Sequence, residues 1–466
     1  MRRSKGSLLT ILTVLVGLFL LVALDLTYFE FFKADKLRNH PQNMRNWVDE
    51  SLFGRGRFLD RNGFAIVIRE KKEDGSFTRY SNSPRMYAHI IGYNSKIYGK
   101  TGLEKTLNND LLNLSNDNPI AALRGQVLQE GVGNDIMLTI DQNLQYQAYL
   151  AMADHKGACI AMNPKTGEIY CDISTPSFDT NHLEENWDQL TQSEDAVLFN
   201  RAHLGLYPPG STMKAISAIS VLEAGQETTL EDRGMTEING YKIHNYEDNA
   251  YGRLDMRGAL VHSSNVYFAE VSQKVSPDIF HKTVNSFYFN RQIPFDMGTA
   301  ISRAHFAPGM DKTLLAANAF GQGKILATPL NMLMAYSAIG NGGKMMKPYL
   351  VKSVLSPQGT PVRSQSPVQL SAINPDYAKI VSDYLHSAAR ENGVENRTGG
   401  ISVAGKSGTA EVQGKKTTDA WYICYGPAKD PDFAICVLLE EDGGTGMDHA
   451  MPIAASLMNF WFSNHQ

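Results

Sequence analysis

Ser211 and Lys214 lie one helical turn apart in the septet Pro208-Pro209-Gly210-Ser211-Thr212-Met213-Lys214. There Pro and Gly stop the preceding chain, and an apolar run begins that ends near Gly225. This places Ser211 at a predicted helix start, among partly positive backbone N–H groups, with Lys214 on the same side. A serine hydroxyl is a weak nucleophile until a base takes its proton, and a lysine three residues on can take it only if held neutral. The helix is apolar nearly all round, so burial is expected, and burial shifts a lysine in the required direction. The chemistry open to such a pair is covalent catalysis through a serine ester.

Two later groups add polar atoms. Ser263-Ser264-Asn265 follows Leu260-Val261-His262 and precedes an apolar helical stretch; read alone it is a helix cap. Val403-Ala404-Gly405-Lys406-Ser407-Gly408-Thr409-Ala410-Glu411 puts a cation, two hydroxyls and a glycine on a predicted edge strand. Gly408 would let another chain approach the backbone closely, and Lys406 could hold a carboxylate by charge; read alone the segment is a solvated strand end. The 12 histidines are scattered, and His262, beside the second group, reads as a packing or capping residue. With no Gly-rich phosphate loop and no His-rich pattern, neither a cofactor nor a metal is expected.

The elements that must position these residues can be read from turn and cap signals. A strand at Asp135–Asp141 leads to a helix over Leu144–Ala153, which Asp141 can cap. One hairpin spans Gly157–Ile173 around Asn163-Pro164-Lys165-Thr166-Gly167, and a second spans Ala420–Leu439 with Pro427–Asp432 as its loop. Helical patterns fill the interval, among them Met213–Ala224, Leu314–Ala319 and Leu330–Ile339. Strands at both ends with helices between predict an α+β domain, one antiparallel sheet packed on helices. Ahead of it, Arg57–Ile68 is broken by the turn Asp60-Arg61-Asn62-Gly63, predicting small strands and hairpins to about Gly133.

Gly6–Leu24 carries no charge and follows Arg2, Arg3 and Lys5, while Tyr28, Phe29, Phe31 and Phe32 come after it. That order predicts a single membrane span with a cytoplasmic N-terminus and an interfacial aromatic belt; a cleaved signal peptide has the same charge and apolar order. The expected organisation is a tail at 1–5, a span at 6–24, a β-rich pedestal at 33–133 and a catalytic domain at 134–466. A net charge of -4 offers no bulk electrostatic reason to bind nucleic acid. Cys159 and Cys171 are symmetric about Lys165, as Cys424 and Cys436 are about Asp430, so each pair could face across its own hairpin. Cross-strand neighbours are an awkward geometry for a disulfide, and four free thiols are expected.

The order Ser-x-x-Lys, Ser-x-Asn, Lys-Ser/Thr-Gly resembles that of the penicillin-binding and serine β-lactamase group, and over nearly its whole length the chain resembles a class B penicillin-binding protein. Arg55-Gly56-Arg57-Phe58-Leu59-Asp60-Arg61-Asn62-Gly63 is similar to the box opening that family's pedestal, and Thr101-Gly102-Leu103-Glu104-Lys105 to a later pedestal element. Leu138-Thr139-Ile140-Asp141, Asn163 to Glu168, Gly321-Gln322-Gly323, Ala327-Thr328-Pro329 and Asn341-Gly342-Gly343 are family-like too. The chain departs from the pattern at Cys424, where a glycine is usual, and at Ser407, where a threonine is common.

The resemblance implies a D,D-transpeptidase that crosslinks peptidoglycan stem peptides and is acylated by β-lactams. Ser211 would be the nucleophile and Lys214 the base, with Ser263 and Asn265 relaying a proton and positioning the substrate amide. Lys406, Ser407, Gly408 and Thr409 would form the substrate-binding strand, and the N–H groups of Ser211 and Thr409 the oxyanion hole. A membrane-anchored β-lactamase or β-lactam receptor would share these motifs, but the anchor and pedestal favour the transpeptidase. The resemblance also implies a plasma-membrane location and a partner, a polytopic membrane glycosyltransferase of the shape, elongation, division and sporulation family.

Overall fold

The computed structural model describes residues 3–28, 53–113, 131–412, 414 and 417–465. Helix α1 (Arg3–Tyr28) covers the apolar N-terminal run. Among the described residues no helix is long and apolar enough to cross a membrane, and within α1 the described side chains begin at Leu12. Phe29, Phe31, Phe32 and the polar stretch 33–50 lie outside the described residues.

The portion expected to be catalytic is built on a five-stranded antiparallel sheet. Its strands are β5 (Gly157–Met162), β6 (Ile169–Thr175), β9 (Ala404–Glu411), β10 (Thr418–Gly426) and β11 (Phe433–Leu439), in the order β9-β10-β11-β5-β6. β5, β6 and β11 are buried at every residue, because helices cover both faces. Tyr425 of β10 packs against Gly340 of helix α5 (Pro329–Gly340) on one face. Its neighbour Gly426 meets Met458 of helix α7 (Met451–Asn464) on the other, as the alternation of a strand requires. Trp461 of α7 stacks on Tyr170 and Phe433, with ring centroids 4.4 and 5.3 Å apart. Asp141 caps helix α2 (Gln142–Ala151), accepting from the N–H groups of Asn143 and Leu144, so the expected cap is present and the helix starts two residues earlier than predicted.

A second sheet crosses the expected boundary at residue 133. Strands β1 (Phe58–Leu59), β2 (Ala65–Lys71) and β3 (Phe77–Ser81) continue through β4 (Asp135–Leu138) to β7 (Val351–Leu355) and β8 (Pro361–Ser364), in the order β8-β7-β4-β1-β2-β3. The joint is the parallel pairing of β1 with β4, Phe58 opposite Ile136. The β1–β2 turn forms as read: buried Asp60 accepts from the N–H groups of Asn62 and Phe64, both at 2.8 Å, and Gly63 takes φ of 90°. The short helices at 88–91, 102–106 and 108–111 were not foreseen, being too short to imprint a helical period on the sequence.

The two pedestal-like motifs meet in one buried ion cluster. Arg55 donates through Nε to Glu104 Oε2 at 2.7 Å and through Nη2 to the Glu104 carbonyl at 2.8 Å, while Arg79 reaches Glu104 Oε1. Burial alone would push the Glu104 carboxyl up, but Arg79 and Arg55 hold it below its ordinary value.

All four cysteines are buried free thiols. The registers correct the expected facing in the second hairpin and shift it to a diagonal in the first. Ile423 lies opposite Cys436 and Cys424 opposite Ile435, so Cys424 and Cys436 point to opposite faces of the sheet. Cys171 lies opposite Ala161, which makes Cys159 its diagonal neighbour on the same face. Cys424 itself is accommodated by Gly405, its partner on β9: a Cβ at position 405 would stand 2.5 Å from the Cys424 Cβ.

Taking away the carboxylate shared by two largely buried guanidinium groups should be costly. Glu104→Ala is expected to destabilise the protein by about 3 kcal/mol, read from the urea unfolding midpoint, and an unchanged midpoint would show that the cluster contributes nothing net.

Candidate active site

Ser211 sits in a single 3-10 turn, Gly210–Thr212, that runs directly into helix α3 (Met213–Glu223). The turn is pinned from several directions. Gly210, at φ of 53°, donates its N–H to the Gly321 carbonyl at 2.9 Å. Gly321 is at φ of 86°, and a Cβ there would stand 1.8 Å from the Gly210 oxygen, so no side chain fits. Trp421 Nε1 donates to the Pro208 carbonyl at 3.0 Å and the Tyr336 hydroxyl to that of Thr212 at 2.8 Å. Ser211 remains partly accessible while residues 213–222 of α3 are all buried.

Lys214 has 0% exposure. Its Nζ lies 2.6 Å from the Ser263 carbonyl, 2.7 Å from Asn265 Oδ1, 3.0 Å from Ser211 Oγ and 3.3 Å from Ser263 Oγ. The first two are acceptors only and take two N–H bonds. The Asn265 amide is oriented by its own Nδ2, which donates to the His244 carbonyl at 2.8 Å. In a neutral amine the remaining position is a lone pair, directed toward the two serine hydroxyls. Burial, and secondly the charge of Lys406, hold Lys214 well below the ordinary lysine value, with Asp232 opposing. The pair can therefore do what the sequence suggested: an amine able to shed its proton faces a serine hydroxyl that needs a base.

Ser263 adopts φ of 58°, a left-handed conformation uncommon outside glycine and asparagine. That kink lets its carbonyl and hydroxyl both face Lys214. Ser264 then caps helix α4 (Asn265–Ser272), its Oγ accepting from the Tyr267 N–H at 2.9 Å, so the cap reading of this motif holds while its two flanking residues face Lys214. His262 is exposed and stacks on Tyr251, ring centroids 4.7 Å apart.

Lys406, Ser407, Gly408 and Thr409 lie on β9, the edge strand beside the serine turn. The close approach that Gly408 permits is to the chain itself: a Cβ there would stand 2.9 Å from the Pro209 oxygen and 3.0 Å from Thr212 Cγ2. Lys406 is 5% exposed, and burial pulls it down to about 8. Ser407 and Thr409 are half-buried and alternate with it along the strand.

Asp232 and Asn245, outside every motif, also bear on the site. The Asp232 carboxylate accepts from Ser264 Oγ at 2.5 Å and from Asn245 Nδ2, and Asn245 Oδ1 accepts from the Asn265 N–H at 2.8 Å. Neither residue announces itself in the sequence, since each lies in a short polar segment without periodicity. Among the described residues no group of three or more His, Cys, Asp or Glu could hold a metal ion.

Known proteins resemble this chain in both sequence and fold. A penicillin binding protein A dimerisation domain matches residues 55–132. Peptidoglycan D,D-transpeptidase PbpA of Mycolicibacterium smegmatis is 28% identical over 479 residues, covering 96% of this chain and 97% of that protein. MrdA of Escherichia coli, also a peptidoglycan D,D-transpeptidase, is 26% identical over 82% of this chain and 66% of its own length. The ceftriaxone acyl-enzyme of penicillin-binding protein A from M. tuberculosis superposes with a TM-score of 0.82 at 27% identity, covering 88% of this chain and 99% of that one. Since the penicillin binding protein transpeptidase domain itself matches residues 157–459, which hold the serine turn, the Ser263 kink and the edge strand, the chain belongs to the penicillin-binding protein transpeptidase family.

Proposed function

We infer that this chain is a peptidoglycan D,D-transpeptidase working through an ester on Ser211. The observation that carries the reading is a buried amine, Lys214 Nζ, 3.0 Å from an accessible serine hydroxyl. Ser211 Oγ attacks the carbonyl of the penultimate D-Ala of a stem peptide, and Lys214 takes the hydroxyl proton. The peptide C–N bond breaks, a proton passed through Ser263 reaches the leaving nitrogen, and the terminal D-Ala departs. A stem amine from a second strand then attacks the ester, forming the crosslink and returning the proton to Ser211. Asn265 holds the substrate amide, and the N–H groups of Ser211 and Thr409 take the developing oxyanion. Lys406 in its charged form, with Ser407 and Thr409, binds the terminal carboxylate, while Gly408 lets the strand lie against the serine turn. A β-lactam follows the same first step, but its opened ring stays attached.

Residues 6–24 act as a membrane anchor that leaves the catalytic portion outside the cytoplasm, with 33–133 as pedestal. The uncharged run within α1 and the basic residues before it support this. The glycan strands come from a membrane glycosyltransferase of the shape, elongation, division and sporulation family, which contacts the span and the pedestal around Arg55–Gly63. The family resemblance supports that partner.

Penicillin treatment followed by digestion and mass spectrometry should place the adduct on the Ser211 peptide; an adduct that survives Ser211→Ala would remove the assignment. In the same assay Lys214→Arg should abolish acylation, because a guanidinium cannot act as base, whereas Lys406→Arg should keep a measurable rate. Rapid loss of the adduct to water would instead indicate a hydrolase.

The pH dependence separates the two lysines. Acylation efficiency should rise with pH as Lys214 loses its proton, then fall as pH passes about 8 and Lys406 loses its charge. In Lys406→Arg the remaining activity should lack that alkaline fall, since arginine keeps its charge; a persistent fall near pH 8 would dissociate it from Lys406.

Exchanging residues 6–24 for an unrelated apolar span tests the partner contact. Co-purification with the glycosyltransferase should weaken, and undiminished recovery with normal growth would leave the span a plain tether.

A further inference from the structure

Asp232 closes the short strand Leu230–Asp232, which pairs with Gly252–Leu254, and it is 2% exposed. Its carboxylate accepts hydrogen bonds only: from the Gly234 N–H at 2.8 Å, from Asn245 Nδ2 at 2.8 and 2.9 Å, and from Ser264 Oγ at 2.5 Å. Both side chains it holds then serve the start of α4. Asn245 Oδ1 accepts from the N–H groups of Asn265 at 2.8 Å and Val266 at 3.1 Å, and Ser264 Oγ from that of Tyr267 at 2.9 Å. Three successive N–H groups of that helix, which have no partner within it, thus end on side chains tied to one carboxylate. The helix start determines where Asn265 stands, and the left-handed Ser263 immediately precedes it.

We propose that Asp232 is a positioning residue for acyl transfer, holding Ser263 and Asn265 through Ser264 and Asn245 at the distances from Lys214 that proton transfer requires. The proposal rests on the roles inferred above for Lys214, Ser263 and Asn265. An uncharged amide cannot replace the carboxylate, because every group around it is a donor and an NH2 would face one of them. The charge also acts on Lys214. The charged groups bearing on that amine are Lys406 from β9, which favours its neutral form, and Asp232, which favours its protonated form; Ser211, Ser263 and Asn265 are uncharged neighbours.

The test is single-turnover acylation of the intact chain by a fluorescent penicillin, resolving the pre-acylation dissociation constant from the acylation rate constant across about pH 5 to 9 in steps of about one unit. Asp232→Asn should lower the rate constant about 10- to 100-fold with the dissociation constant changed less than about threefold. Its loss should be smaller at low pH than at high pH, because removing the negative charge moves the deprotonation of Lys214 to lower pH. Asn245→Ala and Ser264→Ala, which keep the carboxylate, should lower the rate constant without that change in pH dependence, and they decide the matter if Asp232→Asn does not fold. A wild-type rate constant in all folded variants, or losses that match only the lost folded fraction in circular dichroism, would overturn the proposal. Ser263→Ala and Asn265→Ala run alongside: if these acylate normally, the underlying assignment of roles fails, whereas if only the Asp232 group is silent, the positioning claim fails alone.

Discussion

An amine in water at neutral pH is almost wholly protonated, so a lysine can serve as a base only where its charged form is made costly. The fold around Lys214 does this by removing water and placing a second lysine nearby. Much of the rest follows. Helix α3 must be buried on all sides at its first turns, which requires α4 and the helices Pro277–Ser286 and Pro375–Glu391 to pack against it. The groups nearest the amine must be acceptors that satisfy its N–H bonds without fixing a full charge, and a backbone carbonyl and an amide oxygen meet that need. The serine must stay partly open to solvent although the lysine one turn later is sealed; the 3-10 turn at Gly210–Thr212 makes that division.

That arrangement tolerates little backbone movement, and the structure spends glycines and strained residues there. Gly210 and Gly321 meet at a distance no side chain allows, Gly408 lies against Pro209 and Thr212, and Ser263 is held left-handed. None of these would persist without partners that overdetermine them. Hydrogen bonds from Trp421 and Tyr336 fix one side of the site, and the Asp232 carboxylate fixes the other. The β1–β4 pairing joins the strands at 58–81 to the same body, so that segment is continuous with a sheet and not merely strung from a linker.

What could be read from the sequence was local. The hairpins around Asn163–Gly167 and Pro427–Asp432 were placed nearly to the residue, because turn residues mark the loops and β-rich runs flank them. Helix α3 and the Ser264 cap followed from the same kind of signal. The cysteine facing failed because symmetry in sequence is not register: a one-residue offset in the β10–β11 pairing turns Cys436 to the other face. The six-stranded sheet was missed because its central pairing is parallel and links Phe58 to Ile136, for which no local pattern exists. Asp232 was invisible for a related reason, since its partners Asn245 and Ser264 come from separate loops and their spacing in sequence has no period.

Among the described residues β9 pairs with β10 on one side and with no strand on its outer side. In most proteins such a free ladder is a hazard, since any extended chain can template onto it. Under the function inferred above, the same property beside Ser211 becomes a reading head for backbone: an extended peptide would lie along it by main-chain hydrogen bonds, with only its terminal charge singled out by Lys406. Recognition of that kind depends little on side chains. It lets one enzyme accept the same linkage in many chemical settings, and it admits any rigid mimic that presents an amide and a carboxylate at the matching separation.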